Sequence, residues 1–298
     1  MSDPVIIFPI FGEGFRLNPP RAVSIFGFEI YIYGFIIAAA FLLAGAYVLK
    51  RREAFGMTRD NVMDIFLCAM IGGIVGARLY YVAFNPSEYF GAGKWLNIFR
   101  VREGGLAVYG GIILGSASII FYGVRKKLNF ARMLDAGGLG LLIGQSIGRW
   151  GNFVNREAFG SATSMPWRMG LEYSNGVTVY VHPTFLYESL WNALGLLLLH
   201  IYSKKRKSYD GKIFLLYLLW YGLGRVWIEG LRTDSLYIPV TDVRVSQLLS
   251  GLLIIASCAV LYFKWRKAQK LAISDGEEPE DEEIEETDEE EQDGESPE

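Results

Sequence analysis

The sequence predicts an all-α integral membrane protein with seven transmembrane helices, an N-terminus outside the cell and a C-terminus in the cytoplasm. Three observations support this fold class. Hydrophobic residues make up 51% of the 298 residues, and the mean hydropathy of +0.24 is too high for an ordinary soluble domain. These apolar residues form long continuous blocks, and most Lys and Arg residues lie in alternate connections between the blocks.

Seven apolar stretches are long enough to cross a bilayer, since a span needs about 20 predominantly apolar residues. A segment in lipid must be helical because its backbone polar groups cannot be left unpaired there. A membrane barrel would instead need alternating segments of about 10 residues. The stretches are residues 30–49, 62–84, 105–124, 133–152, 184–203, 212–230 and 243–263.

The Lys and Arg residues indicate the orientation of the spans. Of the 29 basic residues, 17 lie in the short segments that follow the first, third, fifth and seventh stretches. If all seven stretches cross the membrane, these four segments share one side, which is the cytoplasmic side by the positive-inside rule. We therefore predict a seven-span membrane domain over residues 1–274, with an extracytoplasmic loop at 153–183.

The C-terminal segment 275–298 has a different composition from the rest of the chain. It holds sixteen of the 32 acidic residues and no Lys or Arg, so the remainder holds sixteen acidic residues against 29 basic ones. Such a segment cannot bury enough apolar surface to fold. It is predicted to be a disordered cytoplasmic tail.

The cysteines and histidines limit the classes of chemistry. Cys68 and Cys258 are the only cysteines and lie in apolar stretches, which excludes a disulfide framework. Two histidines argue against a His-rich metal site, so no metal and no cofactor are expected. The N-terminus lacks a basic region and a cleavage site, so no removable signal peptide is expected. Glycine patterns lie inside the stretches, which favours helix packing over nucleotide binding.

Charged residues inside the apolar stretches indicate a functional site. A charge at the centre of a spanning helix costs on the order of 2.5–3.5 kcal/mol. One arginine near a span end can reach the interface by snorkelling, but several Arg and Glu residues at one depth favour a polar cavity at the outer leaflet. At 1.5 Å per residue, the following lie within about 10 Å of the outer interface: Arg78, Arg149, Arg225, Glu188, Glu229, Tyr33 and Tyr109.

Arginines at this depth match the phosphate of a phospholipid headgroup. The planar guanidinium group forms paired, charge-assisted hydrogen bonds with phosphate oxygens. Asn152 and Asn155, which follow Arg149 in the chain, can donate further hydrogen bonds. The sequence therefore predicts a binding site for an anionic lipid where the fourth stretch meets the outer headgroups.

The segment "GRWGNFVNREAFG" resembles the signature of the bacterial prolipoprotein diacylglyceryl transferases. Shorter stretches that resemble the same family follow in the family's order, to about residue 270. The acidic tail has no counterpart in this resemblance. The signature covers 148–160, and the shorter stretches are "YGF" at 33–35, "GARLYYV" at 76–82, "GGLAVYGG" at 104–111, "HPTFLYES" at 182–189 and "GRVWIEGLRTD" at 224–234.

The resemblance implies an enzyme of the bacterial plasma membrane whose active site faces the extracytoplasmic side. It would transfer the diacylglyceryl group of phosphatidylglycerol to the cysteine thiol of a prolipoprotein lipobox and release glycerol phosphate, in the first step of lipoprotein maturation. The implied partners are phosphatidylglycerol, prolipoprotein signal peptides with a lipobox cysteine, and membrane lipids, but no nucleic acid. The nucleophile belongs to the partner, which agrees with the absence of a cysteine near the outer interface.

The resemblance also implies roles for individual residues. Arg149 resembles the arginine that binds phosphatidylglycerol, and Arg232 resembles a second essential arginine. Gly160 either serves a turn or permits a close backbone approach, and Tyr33 could also be an interfacial belt residue. The predicted catalytic set is Arg149, Arg232, Glu157, Glu229, Tyr33 and Tyr109. The predicted substrate-binding set is Arg149, Asn152, Asn155, Gly160, His182 and Glu188.

One position departs from part of the family. Some members carry a histidine, regarded as the base that activates the thiol, where this chain has Tyr109. Tyrosine has a reference pKa of about 10 and is a poor base at neutral pH. Glu157, Glu188, Glu229 and His182 are the other candidates, although His182 could equally have a structural role before Pro183. Nearby arginines also acidify a thiol, which can make a dedicated base unnecessary.

Two non-catalytic functions are alternatives to this interpretation. An anion or lipid transporter could use the same arginines, although transporters favour internal repeats and a site at the midplane, and neither is evident here. A lipid-binding scaffold is the third possibility. Thiol-dependent release of glycerol phosphate distinguishes the enzyme from both.

Overall fold

The computed structural model divides the chain into two compact units, Met1–Ser257 and Cys258–Glu298. The second unit contains the continuation of the last helix to Ser274. The predicted tail, 275–298, lies outside the described residues, and the predicted domain boundary at 274 stays a prediction. The structure describes residues 3–12, 14–90, 94–101, 104–205, 209–239 and 241–274.

Eight α-helices lie in the described residues, and each of the seven predicted apolar stretches falls on one of them. The remaining helix, α3, has four residues. The helices are α1 (Ile32–Lys50), α2 (Arg59–Phe84), α3 (Pro86–Tyr89), α4 (Val108–Arg125), α5 (Phe130–Asn155), α6 (Thr184–Lys205), α7 (Lys212–Leu231) and α8 (Val245–Ser274).

Four of these helices are long and apolar enough to cross a membrane, judged by length and composition: α1, α2, α4 and α8. Apart from Arg78 in α2, the charged residues that the sequence predicts near the outer interface lie in α5, α6 and α7. The protein is thus mostly helical with several apolar helices, while the number of seven spans and their direction stay predictions.

The structure corrects the all-α prediction in one respect, because the chain also forms short β-strands. Four strands make an antiparallel sheet in the order β2-β1-β5-β6, and β3 and β4 make a hairpin. Strands of two to four residues leave no signal in a search for long apolar stretches. The strands are β1 (Val5–Ile7), β2 (Arg16–Leu17), β3 (Ala22–Ile25), β4 (Phe28–Tyr31), β5 (Met169–Glu172) and β6 (Thr178–Val181).

Helix α5 lies at the centre and packs against α1, α6 and α7. Its glycines let the neighbours approach closely, as small residues do in membrane helices. The ring of Tyr33 in α1 lies against Gly151, and the side chain of Ile37 lies against Gly148. On the opposite side, Tyr217 of α7 contacts Gly138. This packing sets the position of the C-terminal end of α5, where the signature residues lie.

Asp135 joins the N-terminal ends of α5 and α7. Its carboxylate accepts hydrogen bonds from the backbone N–H of Gly211 at 2.7 Å and of Phe214 at 2.8 Å. These N–H groups belong to the first turn of α7, which has no intrahelical partner for them. Asp135 therefore caps α7 from α5 and fixes the two helices against each other.

Candidate active site

Three arginines converge on one carboxylate, Glu188 of α6. Arg149 of α5 places Nη2 at 2.5 Å from Oε2 of Glu188. Arg225 of α7 places Nη1 at 3.3 Å from the same oxygen, and Arg232, directly after α7, places Nη1 at 3.5 Å from Oε1. The arginine cluster, defined as Arg149, Arg225, Arg232 and Glu188, therefore joins three helices at one point.

Two further carboxylates complete the charges around the arginine cluster. Arg225 Nη2 lies 2.6 Å from Oε2 of Glu229, one helical turn further along α7. Arg232 donates two hydrogen bonds to Asp234, at 2.9 and 2.8 Å. These bonds hold the pKa of Asp234 below its ordinary value. With Glu188, the three carboxylates balance the three guanidinium groups.

The carboxylates Glu188 and Glu229 are buried and the three arginine side chains are partly buried, which explains the close pairing. Glu188 is 5% exposed and Glu229 is 2% exposed. A buried charge is tolerated only when it is paired and hydrogen-bonded. Removing one member would leave a buried charge without its partner, so the three helices must keep their relative positions.

Tryptophan contacts hold α6 against α7 beside the cluster. Trp191 and Trp220 stack with ring centroids 4.4 Å apart. Each indole N–H donates to the backbone carbonyl of the other tryptophan, at 3.0 and 2.9 Å. The rings lie over Gly224 and Gly195, where a Cβ atom would collide with them. On the other side of α6, Ser146 of α5 donates to the carbonyl of Ser189 at 2.9 Å.

A chain of polar contacts extends from Arg149 into the signature turn. Arg149 Nη1 lies 3.4 Å from Oδ1 of Asn152. The amide groups of Asn152 and Asn155 both donate to Oε1 of Glu157, at 2.9 and 3.3 Å. The structure thus brings the predicted residues Asn152, Asn155 and Glu157 together, and links them to the arginine cluster.

Gly160 and His182 form the backbone support of the site. The Gly160 N–H donates to the carbonyl of His182 at 3.0 Å, and Gly160 pairs with Arg232 in an isolated β-bridge. A Cβ atom on Gly160 would lie 2.7 Å from the Cβ of His182, so this position requires a close backbone approach. The imidazole of His182 lies 3.2 Å from the hydroxyl of Tyr187. Among the described residues, His182 therefore contacts Gly160 and Tyr187 rather than the arginines.

The two predicted tyrosines differ in their surroundings. Tyr33 packs on Gly151, two residues after Arg149. Tyr109, near the start of α4, is 63% exposed. Helix α4 packs mainly against α2, so the fold does not bring Tyr109 into direct contact with the arginine cluster among the described residues.

Arg78 does not join the other arginines, although the sequence places it at the same depth. Its guanidinium group donates to five backbone carbonyls of the segment between α2 and α4. It also borders a cavity of about 230 Å³ lined by this segment and α3. The expectation that Arg78 shares one cavity with Arg149 and Arg225 was wrong. Depth along a helix does not specify which neighbour a side chain faces.

Several residues of the site were absent from the predicted catalytic and substrate-binding sets. Arg225 was recognised by its depth alone, and its spacing of four residues from Glu229 was a further available signal. Arg244 donates to the backbone carbonyl of Glu229, and Asp234 orients Arg232. Within the described ranges, no three His, Cys, Asp or Glu side chains are grouped so that they could hold a metal ion.

Comparison with known proteins identifies the family. The family model described as prolipoprotein diacylglyceryl transferase matches residues 20–263. A Finegoldia magna protein named phosphatidylglycerol–prolipoprotein diacylglyceryl transferase is 42% identical over 246 residues, which cover 83% of this chain and 95% of the relative. Proteins of the same name from Clostridioides difficile and Enterococcus faecalis are each 40% identical, covering 77% and 82% of this chain and 88% and 90% of the relatives.

The matched region contains the arginine cluster, the signature turn and all the residues that the sequence analysis predicts for the site. Identity of this extent over most of both chains is not limited to a short motif. This chain belongs to the prolipoprotein diacylglyceryl transferase family.

Proposed function

We propose that this chain transfers the diacylglyceryl group of phosphatidylglycerol to the thiol of a lipobox cysteine in a prolipoprotein signal peptide, and releases glycerol phosphate. The observation that carries the proposal is the convergence of Arg149, Arg225 and Arg232 on Glu188, in a chain of this family. The relatives carry the name of this activity. The reaction would be the first step of lipoprotein maturation.

The proposed step forms one bond and breaks one. The thiolate sulfur bonds to the glyceryl carbon of the lipid, while the bond from that carbon to the phosphate oxygen breaks. The electron pair stays on the oxygen, so a phosphodiester with one negative charge leaves as a monoester with an additional charge. In this proposal the leaving oxygen lies beside the arginine cluster, whose N–H groups stabilise the growing charge, which is how a preorganised site accelerates such a reaction.

Thiol activation in this proposal depends mainly on the positive potential of Arg149 and Arg232, because a nearby cation lowers the pKa of a thiol. A carboxylate assists by taking the proton. Glu157 suits this role better than Glu229, since Glu157 is exposed and can pass the proton to water, whereas Glu229 is 2% exposed and paired with Arg225.

The membrane arrangement belongs to the same proposal. Seven helices cross the bacterial plasma membrane, the N-terminus is outside, and the arginine cluster faces the outer leaflet. Two features support this arrangement: the basic residues in alternate connections, and the position of the cluster at the ends of α5 and α7 that those connections assign to the outside.

The activity can be tested directly. Purified full-length protein in vesicles that contain phosphatidylglycerol should release glycerol phosphate only when a lipobox peptide is added. A peptide with Ser in place of its Cys is the matched control and should give no release, since the attacking thiol is missing. Binding of lipid with no release in either case would favour the scaffold, and movement of lipid or anion without release would favour the transporter.

We expect Arg149→Lys to be almost as damaging as Arg149→Ala in this assay. Lysine keeps the charge but loses the planar fork that can hold Glu188 and a phosphate oxygen together. The loss should be about 10²–10³-fold in kcat, the range found when one donor to a developing oxyanion is removed. Arg168→Lys is the control, because Arg168 donates to the carbonyls of Ser164 and Met165. If Arg149→Lys kept full turnover, the role of Arg149 would be limited to supplying a positive charge.

Tyr109 is proposed to hold the lipid headgroup through its hydroxyl. Its exposure leaves the hydroxyl accessible to a lipid. Tyr109→Phe should then lower turnover about tenfold, because one hydrogen bond of about 1.4 kcal/mol is lost. Tyr109→His should be tolerated, since imidazole can donate the same bond. If Tyr109→Phe kept wild-type turnover, Tyr109 would not belong to the site.

The orientation can be checked with single cysteines in a chain that carries Cys68→Ser and Cys258→Ser. The two substitutions, made one at a time, are Ser174→Cys and Lys126→Cys. Position 174 lies in the predicted extracytoplasmic loop, position 126 follows α4, and both are exposed. On intact cells, a membrane-impermeant thiol reagent should label the cysteine at 174 and not the one at 126. After lysis both should react. The opposite pattern on intact cells would overturn the proposed orientation.

A further inference from the structure

Arg156, in the middle of the signature turn, is buried in a backbone conformation that arginine rarely adopts. It follows the last residue of α5 with φ 53° and ψ 44°, in the left-handed region, and it is 6% exposed. Glycine is the usual residue at such a helix end, because it has no Cβ to strain. A long charged side chain persists there only when its surroundings hold it in place.

The side chain of Arg156 is held by three acceptors. Nε donates to the carbonyl of Pro4 at 3.0 Å, Nη1 to the carbonyl of Val154 at 2.5 Å, and Nη2 to Oδ1 of Asn18 at 2.7 Å. Two of these acceptors belong to the N-terminal segment, defined here as residues 3–18, which contains β1 and β2. The guanidinium group therefore ties that segment to the end of α5.

The residue after Arg156 is Glu157, the proposed proton acceptor. Ala158 also has a left-handed backbone, with φ 56°, so Glu157 lies between two residues in this conformation. The direction of its carboxylate thus depends on the turn. In that direction the carboxylate accepts from Asn152 and Asn155, and Asn152 in turn contacts Arg149.

We propose that Arg156 is a positioning residue for the transfer reaction: by clamping the N-terminal segment onto the signature turn, it holds Glu157 at Asn152 and within reach of the reacting thiol. This inference rests on the proposed function. The family match begins at residue 20, so Pro4 and Asn18 lie outside it. Through this side chain, beside the stacking of Phe8 on Phe153, the N-terminal segment contributes to the position of the signature turn.

Arg156→Gly distinguishes the role of the Arg156 side chain from that of the left-handed backbone at this position. Glycine adopts the left-handed conformation without strain, so the turn can form while all three side-chain hydrogen bonds are lost. The predicted result, with full-length protein in phosphatidylglycerol vesicles, is a kcat about tenfold lower and a KM for the lipid within about twofold of wild type. Arg168→Ala removes another arginine that donates to loop carbonyls and should leave both values unchanged.

Asn18→Ala provides a second variant that leaves Arg156 in place. It removes one of the three acceptors and should lower kcat by a smaller factor, about twofold to threefold, again with little change in KM. If Arg156→Gly cannot be purified as a folded protein, this variant still decides the proposal. Wild-type kcat in a folded Arg156→Gly protein, or in Asn18→Ala alone when the other variant does not fold, would overturn it.

A double-mutant cycle shows whether Arg156 acts through Glu157. In a Glu157→Ala background, Arg156→Gly and Asn18→Ala should each change kcat by less than about twofold, because the group that they position is already gone. The same loss in both backgrounds would make Arg156 a merely structural residue and refute the proposal. If wild-type protein releases no glycerol phosphate with the peptide, the proposed function itself fails, which is a different result.

Discussion

The sharing of Glu188 by Arg149, Arg225 and Arg232 is the interaction on which the rest of the site depends. Three guanidinium groups in a partly buried space repel one another, and each would be costly without a counter-charge. Because the members of the cluster come from α5, α6 and the end of α7, the ion pairs also fix these helices to one another. The signature turn and the bridge between Gly160 and Arg232 are positioned by the same contacts.

The arginine cluster constrains the composition of the helices that carry it. The helices α5, α6 and α7 are not among the four that are apolar enough to be recognised as spans, whereas α1, α2, α4 and α8 are. This division has a physical basis, since polar residues are tolerated at membrane depth where they face other helices rather than lipid. Glycines in α5 and the Trp191–Trp220 pair allow these helices to approach closely enough for the arginines to meet.

The sequence predicted the composition of the site better than its arrangement. Depth along the apolar stretches selected Arg149, Glu188 and Glu229, which ion pairs link in the structure, because charges are rare enough in such stretches to be informative. The same argument wrongly grouped Arg78 with them, since depth gives one coordinate and the direction of a side chain around its helix depends on tertiary packing. The pairing of β1 with β5, and the contact of Arg156 with Pro4 and Asn18, join residues far apart in sequence, and no local pattern encodes such pairings.

The presence of three carboxylates in a site proposed for an anionic lipid has a physical explanation. Without them, the arginines would separate or bind other anions, and their N–H groups would have to be reoriented when the lipid arrives. With them, the guanidinium groups are already fixed, so little reorganisation accompanies the change in charge on the leaving phosphate. The balance of three cations and three carboxylates also means that discrimination depends on the direction of the N–H groups rather than on net charge. Planar arginines that make several hydrogen bonds meet that requirement. They do so here because Arg149 and Arg225 are anchored on carboxylates of α6 and α7, and Arg232 on Asp234, which follows α7.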